Sequence, residues 1–471
     1  MVERFVPKNV EELVEYLIES SCPDEELWQN IIEAADEFRK KIAELSHNEW
    51  GLNDDDVMIL GSAARGTFLK NKFDIDIFLR FPPEQPQNLN IVVDKLSRLV
   101  NGIVNIKYIR KRFADHPYLE IVYKVESPII PGGFVTFNLV PSYKTNFPNW
   151  MTPVDRTYYH HKYVSERIGG YRCDVTALKL FLNKVGVYGA EANIRGFSGY
   201  LCELLILEYG GFLNTLKAIS RWRPPVVIDI ENKYKDSDKV IEAFGSGPLI
   251  VVDPVDMGRN AASAVSLSSF SKVVSAAKHA IKKPYIVTCE STKPFPVNSI
   301  LSGLTGLLLV FRHGSKIEEI HYPQMDRFAR KLSNILNENG FNVYISGVYS
   351  NYSSKTVVIL LLENTVISKY YLSKGPPPYL VDDEEFLVKN KWSSVWIGED
   401  GRWYALKERK YTNVRDLILH YAIKHIRLPD DVDLDKVYTL PEDESNVKND
   451  EEIMRWLHIF LKGDGHWRFL M

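Results

Sequence analysis

The sequence predicts a modular α/β (α+β) protein: opening helices with a mixed-sheet domain over residues 1–150, a helical central domain over 151–290, and an α+β tail over 291–471. Three observations predict this. The chain has 471 residues, and a single core rarely grows past about 250 residues before a chain splits into domains. Apolar residues fall at helical spacing near the start, alternate in short β-rich runs from Val57 to about Tyr143, and return to helical spacing beyond His160. After about residue 290 the two periods succeed one another.

Taken in order, Val10, Leu13, Leu17 and Ile18 share one helical face, and Pro23 breaks the run before a second set, Trp28, Ile31, Ile32, Ala35 and Phe38. The strands that follow are VMILGS, FDIDIFLRF, IVNIKYIRKRF, YLEIVYKV and FVTFNLVPSY. Val175, Leu178, Phe181, Leu182 and Val185 return to helical spacing, and Phe197 to Ile219 reads as one long buried helix. In the tail, LTGLLLVF and TVVILLLE flank a helical set of Phe328, Leu332, Ile335 and Leu336, with Gly340 as its stop. The Pro-rich GPPPYLVDDEEF from Gly375 predicts a turn into a final mixed region.

Hydrophobic residues at 45% and charged residues at 25% make a globular balance. Fifty-eight Lys and Arg oppose sixty-one Asp and Glu for a net charge of -3, which excludes a uniformly basic nucleic-acid binder, so any RNA contact must be a local patch. Cys22, Cys173, Cys202 and Cys289 are far apart and form no metal-ligand spacing, which predicts neither a disulfide framework nor a structural zinc, and suits a reducing cytoplasm. The segment MVERFVPKNVEEL lacks a signal-peptide layout and no apolar stretch is long enough to span a bilayer, so a cytoplasmic protein without membrane contact is expected.

Chemistry concentrates in Gly61-Ser62-Ala63-Ala64-Arg65-Gly66-Thr67, followed by Asp74-Ile75-Asp76-Ile77-Phe78. Alternate strand residues share a face, so Asp74 and Asp76 point together with Cα atoms about 6–7 Å apart, while Ile75 and Ile77 face the core. Paired carboxylates suit phosphoryl transfer, in which divalent ions about 3.5–4 Å apart activate an attacking hydroxyl and neutralise departing pyrophosphate. The small Gly61-Ser62 corner lets backbone N–H groups and a hydroxyl approach a triphosphate, with Arg65 as a forked donor. A tight turn before an ordinary strand with solvated Asp side chains is the alternative for D-x-D alone.

The stretch GSAARGTFLKNKFDIDIFLRF resembles the signature of polymerase-β-type nucleotidyltransferases, and specifically of archaeal, class I CCA-adding enzymes. HPY at His116, VDRTYYHHKY from Val154, GVYGAEANIRGFSGYLCELL from Gly186, VVDPVDMGRNAAS from Val251 and GRWYALKERKYT near the carboxyl end are similar to that family's stretches in the same order. The resemblance implies a Mg²⁺-dependent transferase that adds CCA to the 3′ end of tRNA from CTP and ATP without a nucleic-acid template. It implies Asp74 and Asp76 as catalytic metal ligands, and Ser62, Arg65, His160, Lys179 and Tyr188 as contacts of the incoming nucleotide. Arg259 matches the family's base-selecting arginine. On their own residues, Lys179 suits solvent or a phosphate, Tyr188 either packing or a nucleotide, and the pair His160-His161 a phosphate or packing rather than a metal.

One position departs from the pattern. The family's third carboxylate falls at Asn138 in Phe134-Val135-Thr136-Phe137-Asn138-Leu139-Val140-Pro141, so the third metal ligand offers a carbonyl oxygen without its charge. Weakened activity with Glu120 supplying the charge, an inactive RNA-binding relative, and a transferase acting on another RNA are the alternatives this opens. A tRNA acceptor arm is read by backbone and shape. Ile106–Arg112, Arg221–Arg223 and Arg402–Lys410 combine cations with rings and are its candidate contacts, and the sequence is compatible with a homodimer.

Overall fold

A computed structural model describes residues 7–71, 74–113, 116–127, 129–284 and 296–463. The described residues form two compact units, 7–284 and 296–463.

In the first unit, Asn9 caps helix α1 (Val10–Ser21) by accepting from the Glu12 N–H, and Asp24 caps α2 (Glu25–Trp50) by accepting from the Leu27 N–H, with Pro23 between them. Strand β1 (Val57–Leu60) runs into the short helix α3 (Gly61–Arg65), followed by β2 (Asp74–Phe81), α4 (Leu89–Leu99), β3 (Ile106–Phe113), β4 (Pro117–Lys124) and β5 (Phe134–Tyr143). The sheet order is β1-β2-β5-β4-β3, with β2 and β5 parallel and the other pairs antiparallel. Strand alternation then sorts the side chains. Ile75, Ile77, Leu79, Val135, Phe137, Leu139, Leu119 and Ile121 bury one face against Ile31, Ala35, Phe38 and Ile42 of α2 and Val92, Val93 and Leu96 of α4. Phe38 stacks on Phe137 with ring centroids 4.2 Å apart. The other face carries Asp74, Asp76, Thr136, Asn138 and Glu120.

Helices α5 (Thr157–Ile168), α6 (Arg172–Val185), α7 (Gly199–Tyr209), α8 (Phe212–Ile219), α9 (Ser237–Phe244) and α10 (Leu267–Lys282), with the parallel strands β6 (Val226–Ile228) and β7 (Leu249–Val251), complete the unit. A second core joins α5–α8 and α10 and also takes in Leu13 and Leu17 of α1. The expected single helix from Phe197 to Ile219 is two. Gly210 and Gly211, at φ +67° and +108°, close α7 and start α8, and Asp174 accepts from the Phe212 N–H at 2.7 Å. A run apolar on every side carries no periodicity to mark such a break.

The expectation of unpaired cysteines is also corrected. Cys22, just after α1, is disulfide-bonded to Cys173 in the first turn of α6, with Cα atoms 5.0 Å apart across a separation of 151 residues. Packing of α1 on α6, including a 3.0 Å bond from Ser21 Oγ to Thr176 Oγ1, brings the two thiols together, and sequence distance hid the contact. Cys202 is buried and free, and Cys289 lies outside the described residues.

The second unit opens with α11 (Val297–Leu301), then β8 (Gly306–His313), α12 (Glu318–Glu338), β9 (Val343–Ser350) and β10 (Lys355–Leu362). With β14 (Val432–Leu440) these form an antiparallel sheet of order β14-β8-β10-β9, so the β-α-β succession ends with β9 separated from β8 by β10. α12 packs on one face through Met325, Phe328, Leu332 and Leu336, and the closing helix Glu451–Lys462 covers the other through Ile453, Trp456 and Leu457. Gly340 follows α12 at φ +90°, where a Cβ would stand 2.6 Å from Arg409 Nη1. Strands β11 (Tyr370–Lys374), β12 (Ser394–Ile397) and β13 (Trp403–Glu408) make a second sheet, and the Pro-rich turn follows β11 as expected.

A crosslink closing so long a loop constrains the unfolded chain, an effect typically worth about 2–4 kcal/mol. Reductant is therefore expected to lower the melting temperature of the wild-type protein and leave that of Cys22→Ser unmoved. Equal melting curves with and without dithiothreitol would remove the crosslink from the account.

Candidate active site

The polar face of the sheet is organised in rows. Asp76 of β2 lies beside Asn138 of β5, Asn138 beside Glu120 of β4, and Glu120 beside Arg110 of β3. A second row holds Asp74, Thr136, Val122 and Tyr108. Residues paired across strands project to the same side. Asp74 and Asp76 therefore share the face predicted for them, Asp74 exposed and Asp76 partly buried. Burial, opposed by a hydrogen bond from Asn138 and reinforced by the neighbouring Asp74 charge, raises the Asp76 carboxyl from 3.8 to about 6.

The chain turns sharply at the top of β1 to meet this carboxylate. Gly61 has φ +78°, and a Cβ there would stand 2.5 Å from Asp76 Oδ2, so glycine serves both the backbone and the close approach. The Ser62 hydroxyl has no hydrogen-bond partner among the described residues. Trp28 of α2 donates its indole N–H to the Ala63 carbonyl at 2.8 Å and is itself covered by the Arg172 guanidinium, 4.2 Å from the ring centre. The amino-terminal helix thus braces the corner.

Arg65 is buried, and its fork meets Glu203 of α7 through Nε to Oε1 at 3.0 Å and Nη2 to Oε2 at 2.8 Å. Glu203 also accepts from Thr67 Oγ1 at 2.6 Å. Lys179 lies fully inside the fold, neither on a solvated face nor reaching out to solvent, and donates to the Thr67 carbonyl at 2.7 Å. Burial pushes its ammonium below its ordinary value, with the Glu203 charge in opposition. The Tyr188 hydroxyl and Lys179 Nζ both lie against Gly199, where a Cβ would stand 3.4 Å from each. Burial raises the Tyr188 phenol, which stays protonated at neutral pH.

The two histidines diverge, as adjacent helical residues must. His161 Nδ1 lies 3.2 Å from Arg65 Nη1, and burial and the Arg65 charge lower it to about 4. His160 stacks on Tyr200 with centroids 4.0 Å apart and meets Asp253 at 2.8 Å. Asp253 gathers further groups besides His160. It accepts from Arg259 Nη1 at 2.7 Å, from the Tyr200 hydroxyl at 3.1 Å and from the Val255 N–H at 3.0 Å. Burial alone would raise this carboxyl, but His160, Arg259 and the N–H donor hold it well below the ordinary range.

The structure thus brings Ser62, Asp74, Asp76 and Asn138 together, sets Lys179 and Tyr188 beside the Arg65–Glu203 pair, and joins His160 to Arg259 through Asp253. Sequence reasoning missed Glu203, Asp253, Tyr200 and Trp28. The signal for Glu203 was available: it is the one charge in the apolar run Leu201–Ile206, where an isolated acid must be paired if it is buried.

For a metal ion the candidate oxygen donors are Asp74, Asp76 and Asn138. Asn138 Nδ2 donates to Asp76 Oδ1 at 3.0 Å, and turning its amide about the terminal bond presents the carbonyl oxygen instead. Two carboxylates and a carbonyl suit Mg²⁺, which keeps several water or phosphate oxygens of its own. Glu120, on the same face, is already engaged. Its carboxylate accepts from Arg112 Nε at 3.1 Å, Arg112 Nη2 at 3.0 Å and the Tyr108 hydroxyl at 3.3 Å, all on β3.

Gly61→Ala is expected to reduce activity at least a hundredfold while the protein stays folded, measured by turnover and circular dichroism; near-normal turnover would show that the corner is not used. Asp76 also predicts a pH effect. Because its folded value is raised above its unfolded one, its contribution to stability is complete below about pH 4 and lost as pH rises through about 6, a difference of about 3 kcal/mol. Asp76→Asn should therefore melt several degrees higher than wild type at pH 7.5 without divalent metal, with the gap closing by pH 4. A gap that widens on acidification would contradict it.

The chain is similar to known proteins along most of its length. Residues 36–186 match the family described as nucleotidyltransferase domain, 173–289 the second domain of tRNA nucleotidyltransferase, and 303–433 the C-terminal domain of CCA-adding enzyme. The CCA-adding enzyme of Archaeoglobus fulgidus is 33% identical over 88% of this chain and 90% of its own length. That of Sulfolobus acidocaldarius is 34% identical over 84% and 90%, and that of Saccharolobus islandicus 32% identical over 92% and 98%. With a third of its residues shared over nearly the whole length of these archaeal proteins, the chain belongs to the CCA-adding enzyme family.

Proposed function

We propose that this protein adds CCA to the 3′ end of tRNA from CTP and ATP, without a nucleic-acid template, by nucleotidyl transfer. The observation that carries the reading is the Gly61 corner set against Asp76, with Asp74 on the same face, in a chain that belongs to this family. The 3′-hydroxyl attacks the α-phosphate in line, and pyrophosphate leaves. Mg²⁺ bound at Asp74, Asp76 and Asn138 would lower the pKa of that hydroxyl and offset the phosphate charge.

The remaining roles belong to the chain. The Ser62 hydroxyl and the corner backbone seat the triphosphate. Glu203 and Thr67 hold Arg65 and Lys179 at the foot of the corner, so that their charge acts on the phosphates with little reorganisation. Asp253 fixes the direction of the Arg259 guanidinium, leaving its other N–H groups for the edge of the base, and orients neutral His160. Tyr188 closes the pocket on the helical side. Among the stretches proposed for RNA, Trp222 is 8% exposed and stacked on Phe270, so only its flanking arginines are available. Lys407 of β13 and Arg402 just before it are available, with Tyr404 of β13 and Trp396 of β12 stacked and partly exposed. The division into a catalytic domain at 1–150, a base-recognising domain at 151–290 and an RNA-binding tail from 291 is part of the same reading.

Asn138 supports a weakened rather than an absent reaction, because the amide keeps an oxygen in reach while removing a charge. Purified protein with tRNA lacking CCA, Mg²⁺ and labelled CTP and ATP is expected to extend the RNA; no extension over hours would sink the proposal. Asp76→Ala should abolish extension and leave tRNA affinity within a few-fold. Asn138→Asp should raise the rate about tenfold, equivalent to about 1.4 kcal/mol, and should lower the melting temperature of the metal-free protein by replacing a hydrogen bond with a third carboxylate. An unchanged rate would mean that the missing charge does not limit the reaction.

A further inference from the structure

The polar sheet face continues past the carboxylates in one direction only. α3 stands on the β1 side of Asp76, whereas Asn138, Glu120 and Arg110 follow on the other side, across β5, β4 and β3. With neighbouring strands about 4.8 Å apart, three steps place Arg110 about 14 Å from Asp76. The parallel row from Asp74 passes the small side chains of Thr136 and Val122 to reach Tyr108. Tyr108 is 46% exposed, Arg110 is exposed and has no ion-pair partner among the described residues, and Glu120, between Asn138 and Arg110, is paired with Arg112. At the opposite end this face is covered: Leu60, Phe78 and Val140 pack with Met58, Tyr118, Val154 and Tyr158. At the other end, among the described residues, Asp74 and Tyr108 are exposed and Thr136 is partly exposed.

In-line displacement requires the attacking hydroxyl to approach opposite the departing pyrophosphate. If the triphosphate sits at the α3 corner, the leaving group points toward β1 and the nucleophile enters from β5. We propose that the last few nucleotides of the RNA acceptor strand lie across β5, β4 and β3, with a base stacked on Tyr108 and a phosphate held by Arg110. This rests on the reading that the Gly61 corner seats the triphosphate. The cation and ring at the far end complement a polyanion whose bases have faces to stack, and the Arg112–Glu120 pair keeps the path between them from repelling it. Tyr108 and Arg110 are positioning residues: they set where the 3′-hydroxyl arrives and take no part in bond making.

A tRNA lacking CCA, with 4-thiouridine placed three nucleotides from its 3′ end, tests the path without turnover. Irradiated with the full-length protein, it is expected to crosslink within Tyr108–Arg112; crosslinks mapping only elsewhere would overturn the proposal. Tyr108→Ala and Arg110→Gln, checked for unchanged melting temperature, should each raise KM for tRNA about tenfold and leave KM for CTP unaltered. Arg110→Gln should also reduce the slope of log affinity against log salt by about one. Unchanged KM for tRNA in both variants would equally overturn it. If wild type crosslinks at Tyr108 yet extends no RNA, the path stands and the reading of the activity falls.

Discussion

Everything at the site depends on the parallel pairing of β2 with β5. That pairing sets Asp76 beside Asn138, and the antiparallel pairing of β1 with β2 then delivers the Gly61 corner to the same carboxylate. A slip of one residue in either ladder would turn the acids into the core and the isoleucines toward solvent. The register is held from behind. Ile75, Ile77, Phe137 and Leu139 have no exposed surface, and truncating a core phenylalanine such as Phe137 typically costs about 3–5 kcal/mol. Packing on the silent face is what keeps the reactive face in order.

Charge is buried here on an unusual scale. Arg65, Lys179 and Glu203 lie under the corner with one carboxylate for two cations, and Asp253 stands between a neutral imidazole and Arg259. Removing one member of such a set leaves an uncompensated ion, which typically costs about 3–5 kcal/mol. A triphosphate seated at the corner, as proposed, would meet these cations from above. That account links an electrostatic deficit within the fold to the class of ligand the surface would take.

Much of this was legible from residues alone, and the boundary is physical. Asp74 and Asp76 could be placed because strand period is local and needs no tertiary knowledge. The short strands were readable for the same reason, and so was the break at Pro23. Residues 197–219 were not, since an apolar run has no polar face to show its phase and two adjacent glycines were needed to interpret it. The Cys22–Cys173 bond and the Asp253 cluster join residues 151 and 93 positions apart, and neither period nor composition reports such distances. The burial of Lys179 was not legible either, because a lone cation on an apolar helix more often reaches solvent than a buried carbonyl.

Asn138 shows why a site can drift from three acids without losing its shape. Three carboxylates crowded at a strand junction repel one another whenever no cation is present, and the burial of Asp76 deepens that penalty. An amide removes one charge and supplies a donor, so the empty site gains a hydrogen bond where its relatives' pattern would place another negative group. If the site acts as proposed, what it gives up is field strength at the point where the hydroxyl must lose its proton. On that reading the amide favours stability at the expense of rate, and Glu120, tied to Arg112 and Tyr108, is not placed to supply the missing charge while those bonds hold.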